Sequence, residues 1–228
     1  MDSPGMRFPD DSDRLVIVGA TGSGKTQAGL WHLSHRDFHE VPWVVYNFKD
    51  DENIDGIEGA RHIEMTELPT APGIYVAHPK PADLRPQAGA DQSVLDFHLE
   101  RIWEAQRIGV FMDEGAVIGQ RSDAFRLLLQ QGRSRRVPMI ILSQRPKWMD
   151  SYVFTEANFW QVFRLQWERD RKAVQEFVPS SVIGQRLPRY ESHYYDVGEN
   201  VITPLRPVPE MAVIQRTFAR RLGRRRAG

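Results

Sequence analysis

The sequence has no cysteine, no long apolar run and no net charge. The absence of cysteine excludes disulfide bridges and thiolate-bound metals, and is compatible with a cytosolic location. Because no stretch approaches the roughly 18 uninterrupted apolar residues of a transmembrane helix, we predict no membrane span. The chain starts with Asp2, Asp10, Asp11 and Asp13 instead of a basic and apolar segment, so we also predict no secretory signal peptide.

What is present is the composition of one sizeable globular domain. Of the 228 residues, 41% are hydrophobic and 26% charged, a balance that excludes disorder of the whole chain. Two basic stretches contain no acid: Arg126, Arg133, Arg135, Arg136, Arg145 and Lys147 form the first, and Arg216, Arg220, Arg221, Arg224, Arg225 and Arg226 the second. Such patches favour a polyanionic partner, although a solvated chain end explains the second equally well.

Residues 14 to 26 carry the strongest functional signal. The apolar run Leu15 to Val18 predicts a buried strand, and the spacing of Leu30 and Leu33 predicts a helix behind it. Between them lies a complete G-x-x-x-x-G-K-[ST] loop: Gly19, Ala20, Thr21, Gly22, Ser23, Gly24, Lys25 and Thr26. Glycines let backbone N–H groups point at a phosphate, and the helix N-terminus adds a positive dipole. We therefore predict binding of a nucleoside triphosphate.

The sequence also predicts a magnesium site and a hydrolytic acid. Lys25 supplies a mobile cation for the terminal phosphates, and the Thr26 hydroxyl is a magnesium ligand. The apolar run 108–112 ends in Asp113 and Glu114, about ninety residues after the loop. Asp113 is predicted to bind Mg²⁺ through water, and Glu114 to polarise the attacking water. The second acid favours water over a kinase substrate as the nucleophile.

Another buried strand, 137–144, ends in Gln144 and is followed by Arg-Pro. An amide at this position can hydrogen-bond the γ-phosphate or the lytic water, so we predict that Gln144 senses which nucleotide is bound. Arg133 and Arg136 precede the strand. An arginine from a neighbouring subunit can stabilise the charge that develops on the γ-phosphate, and these two are our candidates. A solvated or DNA-facing helix end is the alternative.

The remaining pattern predicts alternating strands and helices. Strands are expected at Trp43–Phe48, Gly73–His78 and Ala157–Leu165, helices after Ser93 and at Asp170–Phe177, and a hairpin at Tyr190–Val197 with Asn200–Pro204. Ser93 and Asp96 form a plausible capping box. The aromatic residues Phe159, Trp160, Phe163 and Trp167 are assigned to the core.

Two sets of polar residues have open roles. Asn47 and Lys49 follow a predicted strand and face the ligand crevice of an open sheet. Asn47 could reach the catalytic carboxylate and Lys49 could assist phosphates or a neighbour, but a simple turn is equally compatible. The histidines His32, His35 and His39 are assigned to the surface or to packing, because no cysteine or suitable carboxylate set accompanies them.

The motifs together resemble one family. The Gly-Ala-Thr-Gly-Ser-Gly-Lys-Thr loop, the Phe-Met-Asp-Glu strand, the Gly-Arg segment before the fourth strand and the Ser-Gln-Arg-Pro after it resemble the FtsK–HerA superfamily of RecA-like DNA-pumping ATPases. Asn158, Arg164 and Asp170 extend the similarity, which spans roughly residues 14 to 178. One departure is Asn-Phe-Lys-Asp at 47–50, where many members have Asp-Pro-x-Gly, so the role of this segment is open.

Within the superfamily, the chain is similar to the small genome-packaging ATPases of tectivirus-type phages, which have an internal membrane and a double-jelly-roll capsid. The resemblance implies a three-layer RecA-like (ASCE) α/β fold with a mainly parallel sheet, to which the sequence adds a C-terminal β-hairpin. The expected division is a flexible acidic N-terminus (1–13), an ATPase domain (14–210) and a basic C-terminal tail (211–228).

The same resemblance implies a homo-oligomeric ring, usually of six subunits, in the host cytoplasm or at the packaging vertex. The ring would thread double-stranded DNA into a preformed capsid and dock on vertex or portal-like proteins. Loops near 115–122 and 145–153 would face the pore. Alternatives are a related DNA pump for phage export, plasmid transfer or segregation, a P-loop kinase, and a non-hydrolysing assembly or DNA-binding module.

Overall fold

The computed structural model of the chain describes residues 6–118, 122–183 and 187–223. The strands are β1 (Arg14–Val18), β2 (Trp43–Tyr46), β3 (Arg61–His62), β4 (Ile74–Ala77), β5 (Gly109–Met112), β6 (Met139–Ser143), β7 (Phe159–Phe163), β8 (Ser192–Asp196) and β9 (Val201–Leu205). The helices are α1 (Lys25–Ser34), α2 (Glu52–Asp55), α3 (Val94–Ala105), α4 (Asp123–Gln131), α5 (Ser151–Thr155), α6 (Glu168–Gln175), α7 (Ser180–Ile183) and α8 (Met211–Leu222).

The strands form one sheet in the order β3-β4-β2-β5-β6-β1-β7-β8-β9. Pairings from β3 to β7 are parallel, and β8 and β9 are antiparallel additions. The predicted mainly parallel sheet and C-terminal hairpin are thus confirmed. Because β6 lies between β1 and β5, the carboxyl ends of these three strands meet at one edge of the sheet, where an open α/β sheet binds its ligands.

Helices cover both faces of the sheet and give three layers. Leu15 and Ile17 of β1 pack on the side of α1 and α8, whereas Val16 and Val18 pack on the side of α3 and α4. Parallel strands buried on both faces read as continuous apolar runs, which is why they were visible in the sequence. The Ser93 hydroxyl caps α3 as predicted, by accepting from the Asp96 N–H at 3.0 Å. No described helix is long and apolar enough to cross a bilayer.

The segment interpreted as a basic tail includes helix α8, which the sequence analysis did not predict. Ile214 and Phe218 are buried in the apolar cluster on the α1 side of the sheet, and the Phe218 ring stacks on Phe38 with centroids 6.1 Å apart. Arg216 and Arg220 are exposed on the opposite side. Arg224, Arg225 and Arg226 lie outside the described residues. A domain boundary at residue 211 stays a prediction.

The described part of the acidic N-terminus contacts the sheet. Arg7 donates to the Asp196 carboxylate of β8 at 2.9 Å, and its guanidinium lies 4.4 Å from the Phe159 ring. This ion pair lowers the pKa of Asp196. Asp13 is buried beside β1. Arg7 therefore attaches the described part of this segment to β7 and β8. Asp2 lies outside the described residues.

Candidate nucleotide-binding and hydrolysis site

The loop 19–24 joins β1 to α1 at the carboxyl edge of the sheet. Two of its glycines are required there for different structural reasons. The Gly19 N–H donates to the Ser143 carbonyl at 3.3 Å, and a Cβ on Gly19 would lie only 2.5 Å from the Phe163 Cβ. Gly24 has φ +96°, in the left-handed region that glycine adopts without strain. Gly19 therefore allows a close approach, and Gly24 allows the turn into α1.

Lys25 begins α1 and folds back onto the loop. Its ammonium donates to the Ala20 carbonyl at 2.8 Å. Burial, with repulsion from Lys49, lowers the pKa of Lys25 to about 8. The nearby Ser23 hydroxyl is buried and has no hydrogen-bond partner among the described residues. A desolvated cation and an unpaired hydroxyl in a glycine loop fit the phosphates of a nucleotide.

Asp113 directly follows β5 and is 1% exposed. Within the described part of the chain, neither oxygen of its carboxylate has a hydrogen-bond partner. Burial raises the pKa of Asp113 to about 6, against the opposing effect of Lys49. A buried carboxylate without a protein partner fits a hard cation such as Mg²⁺. Thr26, the other predicted ligand, lies half-buried in the first turn of α1, and both magnesium roles stay predictions.

Glu114 is 7% exposed and is held by three groups. Its carboxylate accepts from the Ser143 hydroxyl at 2.7 Å and from the Gln144 N–H at 3.3 Å, and it forms an ion pair with the Lys49 ammonium at 3.0 Å. Lys49 also donates to the Asp113 carbonyl at 3.3 Å. The sequence analysis missed Ser143 and left Lys49 open, because only the adjacency of β2, β5 and β6 brings them to this acid.

Gln144 joins the end of β6 to the phosphate-binding loop. Its side-chain Oε1 accepts from the Thr21 hydroxyl at 2.6 Å. The backbone N–H of the same residue reaches Glu114. Gln144 therefore contacts both the loop and the candidate catalytic acid, as a nucleotide sensor requires, and the sensor role itself stays a prediction.

Asn47 belongs to a turn and makes no hydrogen bond to the acidic pair. Its side chain donates to Asp55 Oδ1 at 3.0 Å and accepts from the Asp51 N–H at 2.8 Å. These bonds organise the connection between β2 and α2. Of the two interpretations of Asn47, the catalytic contact is wrong and the turn is correct.

Trp167 corrects the assignment of the aromatic residues. Trp167 is 56% exposed, and its ring centroid lies 3.9 Å from the Arg145 guanidinium. The Trp148 ring, on a residue that is 59% exposed, lies 4.4 Å from the same guanidinium. Arg145 also lies 3.5 Å from the Asp170 carboxylate. Trp167 falls four residues beyond β7, where the strand no longer buries its side chains. The other three aromatics are buried as predicted: Phe159, Trp160 and Phe163.

Arg133 and Arg136 are exposed and precede β6. Their end of β6 pairs with the start of β1, in the register Arg14 with Met139. The phosphate-binding loop follows the other end, five residues or about 15 Å along the strand. The two arginines therefore lie at the opposite edge of the sheet from the loop of their own chain. Action on the nucleotide of a neighbouring copy stays the prediction.

Some residues of the first basic stretch, residues 126–147, contact other side chains of the same chain. Arg126 donates to the Asp150 carboxylate at 2.7 Å, and Arg135 lies 3.4 Å from the Trp103 ring centroid. Lys147 is exposed at the turn after β6. Because the other basic residues of this stretch contact groups within the chain, those that remain available to a polyanion are Arg133, Arg136 and Lys147.

Replacing Asp113 with asparagine should stabilise the nucleotide-free protein. The folded-state pKa of about 6 exceeds the ordinary 3.8, so the folded protein binds more protons and its stability falls as pH rises from about 4 to 6. The substitution removes this cost, which is about 2 to 3 kcal/mol at pH 7. Thermal unfolding should show Tm several degrees higher at pH 7 and little gain at pH 4. Asp91→Asn, on an exposed loop, is the control, and an unchanged or lower Tm at pH 7 contradicts the prediction.

The sheet order and the loop define the class: this is a P-loop NTPase with an additional strand, β6, between the loop strand β1 and the acid-bearing strand β5. No family model matches the sequence. The sequence is 41% identical over 230 residues to the DNA packaging ATPase P9 of Enterobacteria phage PRD1, with 97% of each chain covered. The chain belongs to the family of phage DNA packaging ATPases that includes P9, which confirms the predicted family.

Solved structures share the fold at low sequence identity. The genome packaging NTPase B204 from Sulfolobus turreted icosahedral virus 2, in complex with AMPPCP, superposes with a TM-score of 0.68 and 15% identity, covering 88% of this chain and 100% of that one. The cytoplasmic domain of EssC gives a TM-score of 0.61 and 11% identity, covering 96% and 48%. At these identities the likeness shows the fold alone, and it agrees with the predicted class.

Proposed function

We propose that this protein is an ATP-driven translocase that packages viral double-stranded DNA into a preformed capsid. One observation carries the proposal: the chain matches a DNA packaging ATPase over 97% of its length. The site supports hydrolysis, because the loop lysine, an unpaired buried carboxylate and a second carboxylate all lie at the same edge of the sheet.

In this proposal the chain's own residues bind the nucleotide and direct water. Lys25 leaves the Ala20 carbonyl to meet the terminal phosphates, while the loop N–H groups hold them from the other side. Thr26 and Asp113 would hold Mg²⁺, which neutralises phosphate charge when bound. Glu114, fixed by hydrogen bonds from β6, accepts a hydrogen bond from the attacking water and polarises it.

Gln144 would communicate the state of the site. Its side chain now bonds to Thr21, and a γ-phosphate offers it a charged acceptor instead. The next residue, Arg145, lies between two exposed tryptophans and pairs with Asp170. A shift of Gln144 would therefore move the 145–153 segment, which we propose grips DNA phosphates. The partner segment 115–122 includes residues 119–121, which lie outside the described residues.

Assembly completes the site. Arg133 and Arg136 are too far from the loop of their own chain, so we propose that a neighbouring copy supplies one of them, in a homo-oligomeric ring of six. Such a ring would act in the host cytoplasm at the packaging vertex, docked on capsid vertex or portal-like proteins. Closure and opening of the boundary during each hydrolysis cycle would move DNA through the centre.

An ATPase assay with and without duplex DNA tests this function. We expect Mg²⁺-dependent phosphate release that rises when a long duplex is added, together with assembly detected by light scattering. Nucleotide binding without turnover would favour the non-hydrolysing module. Turnover that needs a small-molecule acceptor and ignores DNA would favour the kinase. Either result would exclude the proposed translocase.

Lys147→Ala should weaken DNA binding mainly through phosphate contact. Lys147 is exposed after β6 and has no ion pair within the described ranges. Removing one phosphate contact should reduce the slope of log affinity against log salt by about 1. Fluorescence anisotropy with duplexes of unrelated sequence measures this slope. Lys172→Ala is the matched control, because Lys172 is also exposed but pairs with Glu168 at 2.9 Å. Equal slopes for both variants would exclude Lys147 from the interface.

A further inference from the structure

Two histidines and one carboxylate converge at the β3 end of the sheet. His62 in β3 pairs with Val76 in β4, and His78 comes two residues after Val76, so both imidazoles lie on the same face. Their rings are parallel, with centroids 5.6 Å apart and an interplanar angle of 11°. Asp55, at the end of α2, places Oδ1 3.1 Å from His78 Nε2. One donor atom from each of the three residues lies within 4.8 Å of the others.

We propose that Asp55, His62 and His78 form a binding site for a divalent zinc-class cation. Imidazole nitrogen and carboxylate oxygen are ordinary Zn²⁺ ligands, with bonds of about 2.0 to 2.2 Å. Tetrahedral ligation at those lengths separates donor atoms by about 3.3 Å, close to the present distance between Asp55 and His78. Because Asp55 and His62 are exposed, a water molecule can take the fourth position.

The surrounding residues are arranged as the outer partners of a metal site. His78 Nδ1 lies 3.0 Å from the Asp50 carboxylate, on the ring side opposite the nitrogen that faces Asp55. A metal-bound histidine characteristically donates its second ring N–H to a carboxylate, which fixes the tautomer and orients the ring. Asn47 donates to the Asp55 carboxylate at 3.0 Å and fixes that ligand in turn.

The local charge also favours a cation. The segment around α2 is rich in acids, namely Asp50, Asp51, Glu52, Asp55 and Glu58. The next basic residue after this segment is Arg61. Because Arg61 directly precedes His62 in β3, its side chain projects to the opposite face, where it donates to the Tyr75 hydroxyl. The Arg61 guanidinium therefore does not lie on the face of β3 that carries His62.

The ion would add a direct link between parts of the chain that side-chain hydrogen bonds and apolar packing already bring together. It would link α2 to the edge strand β3 and to its neighbour β4. Lys49, which pairs with the Glu114 carboxylate at 3.0 Å, lies in the same β2–α2 connection. The bound ion would therefore hold the backbone segment that carries Lys49. This segment borders the hydrolytic site on the side away from the phosphate-binding loop.

Calorimetric titration of the full chain with Zn²⁺ alone, without nucleotide, tests the site. An Asp113→Asn background removes one of the two predicted cation ligands of the nucleotide site and leaves the cluster intact. We expect one Zn²⁺ per chain. His62→Ala and His78→Ala should each lower the affinity at least about tenfold, and Asp50→Asn about tenfold or more through lost orientation of His78. His39→Ala removes a histidine outside the cluster and should leave the affinity unchanged.

A second readout separates metal binding from loss of folding. Co²⁺ in place of Zn²⁺ should give the visible absorption of a four-coordinate site, and this absorption should disappear in His62→Gln, while circular dichroism shows the same helix content as the parent. Absence of saturable Zn²⁺ binding would overturn the proposal. So would binding that persists unchanged in the double variant His62→Ala/His78→Ala, because the cluster would then be only a histidine paired with carboxylates.

Discussion

Replacing Glu114 with glutamine should lower ATP turnover about 100-fold or more while ATP binding is retained. The Glu114 carboxylate is a buried base candidate at the carboxyl edge of the sheet, held by hydrogen bonds from the Ser143 hydroxyl and the Gln144 N–H. Glutamine keeps an oxygen that can accept the Ser143 hydroxyl bond, so the local fold should survive. What it loses is the negative charge that polarises water, and with it the ion pair to Lys49.

Two measurements together check this prediction. Steady-state phosphate release with duplex DNA gives turnover, and calorimetry or a fluorescent analogue gives nucleotide affinity. Glu104→Gln, on the exposed end of α3, carries the same chemical change away from the site and should behave as the parent. If Glu114→Gln retains DNA-stimulated turnover, the catalytic assignment of Glu114 is wrong.

Removing the arginine that acts between subunits should lower turnover about 1,000-fold. Arg133→Ala and Arg136→Ala are made separately, because the structure places both at the same exposed edge. Arg136 has φ +54°, a left-handed conformation that alanine also disfavours. Arg107→Ala is therefore the matched control, since Arg107 is an exposed arginine at the same edge with φ +51°. We expect one of the first two variants to be inactive and the control to be active.

Mixing inactive subunits distinguishes action in trans from action in cis. A Glu114→Gln subunit has a defective site but a normal arginine, and an arginine variant has the reverse. In a mixed ring, some boundaries combine the normal site of one subunit with the normal arginine of the other. Turnover should therefore reappear on mixing, although neither pure sample is active. If mixing restores nothing while mixed rings form, the arginine does not act between subunits.

The central fold could be predicted because its signals are local. Apart from β3, each parallel strand is buried on both faces and appears as a mainly apolar run. The phosphate-binding loop is defined by eight consecutive residues. The acids after β5 and the glutamine after β6 were recognisable because polar residues follow apolar runs there. Strand β3 was missed because its two residues, Arg61 and His62, carry no apolar pattern.

Other features depend on which strands are neighbours, and the sequence does not state that order. Lys49 reaches Glu114 because β2 lies beside β5, although 64 positions separate Lys49 from Asp113. His62 and His78 meet because β3 pairs with β4. The core role predicted for Trp167 failed for a related reason, since β7 ends at Phe163 and the chain then leaves the sheet. Helix α8 was hidden by its arginines, which outnumber its two buried apolar residues.

The two lateral strands of the sheet suggest how copies of this chain can and cannot associate. At one end β3 is only two residues long, and at the other β9 contains Pro204, which has no N–H to offer an incoming strand. Continuous cross-chain β-pairing is therefore disfavoured at both margins. We expect subunits to meet mainly through side chains, so that neighbouring subunits can separate and re-associate without breaking backbone hydrogen bonds between strands.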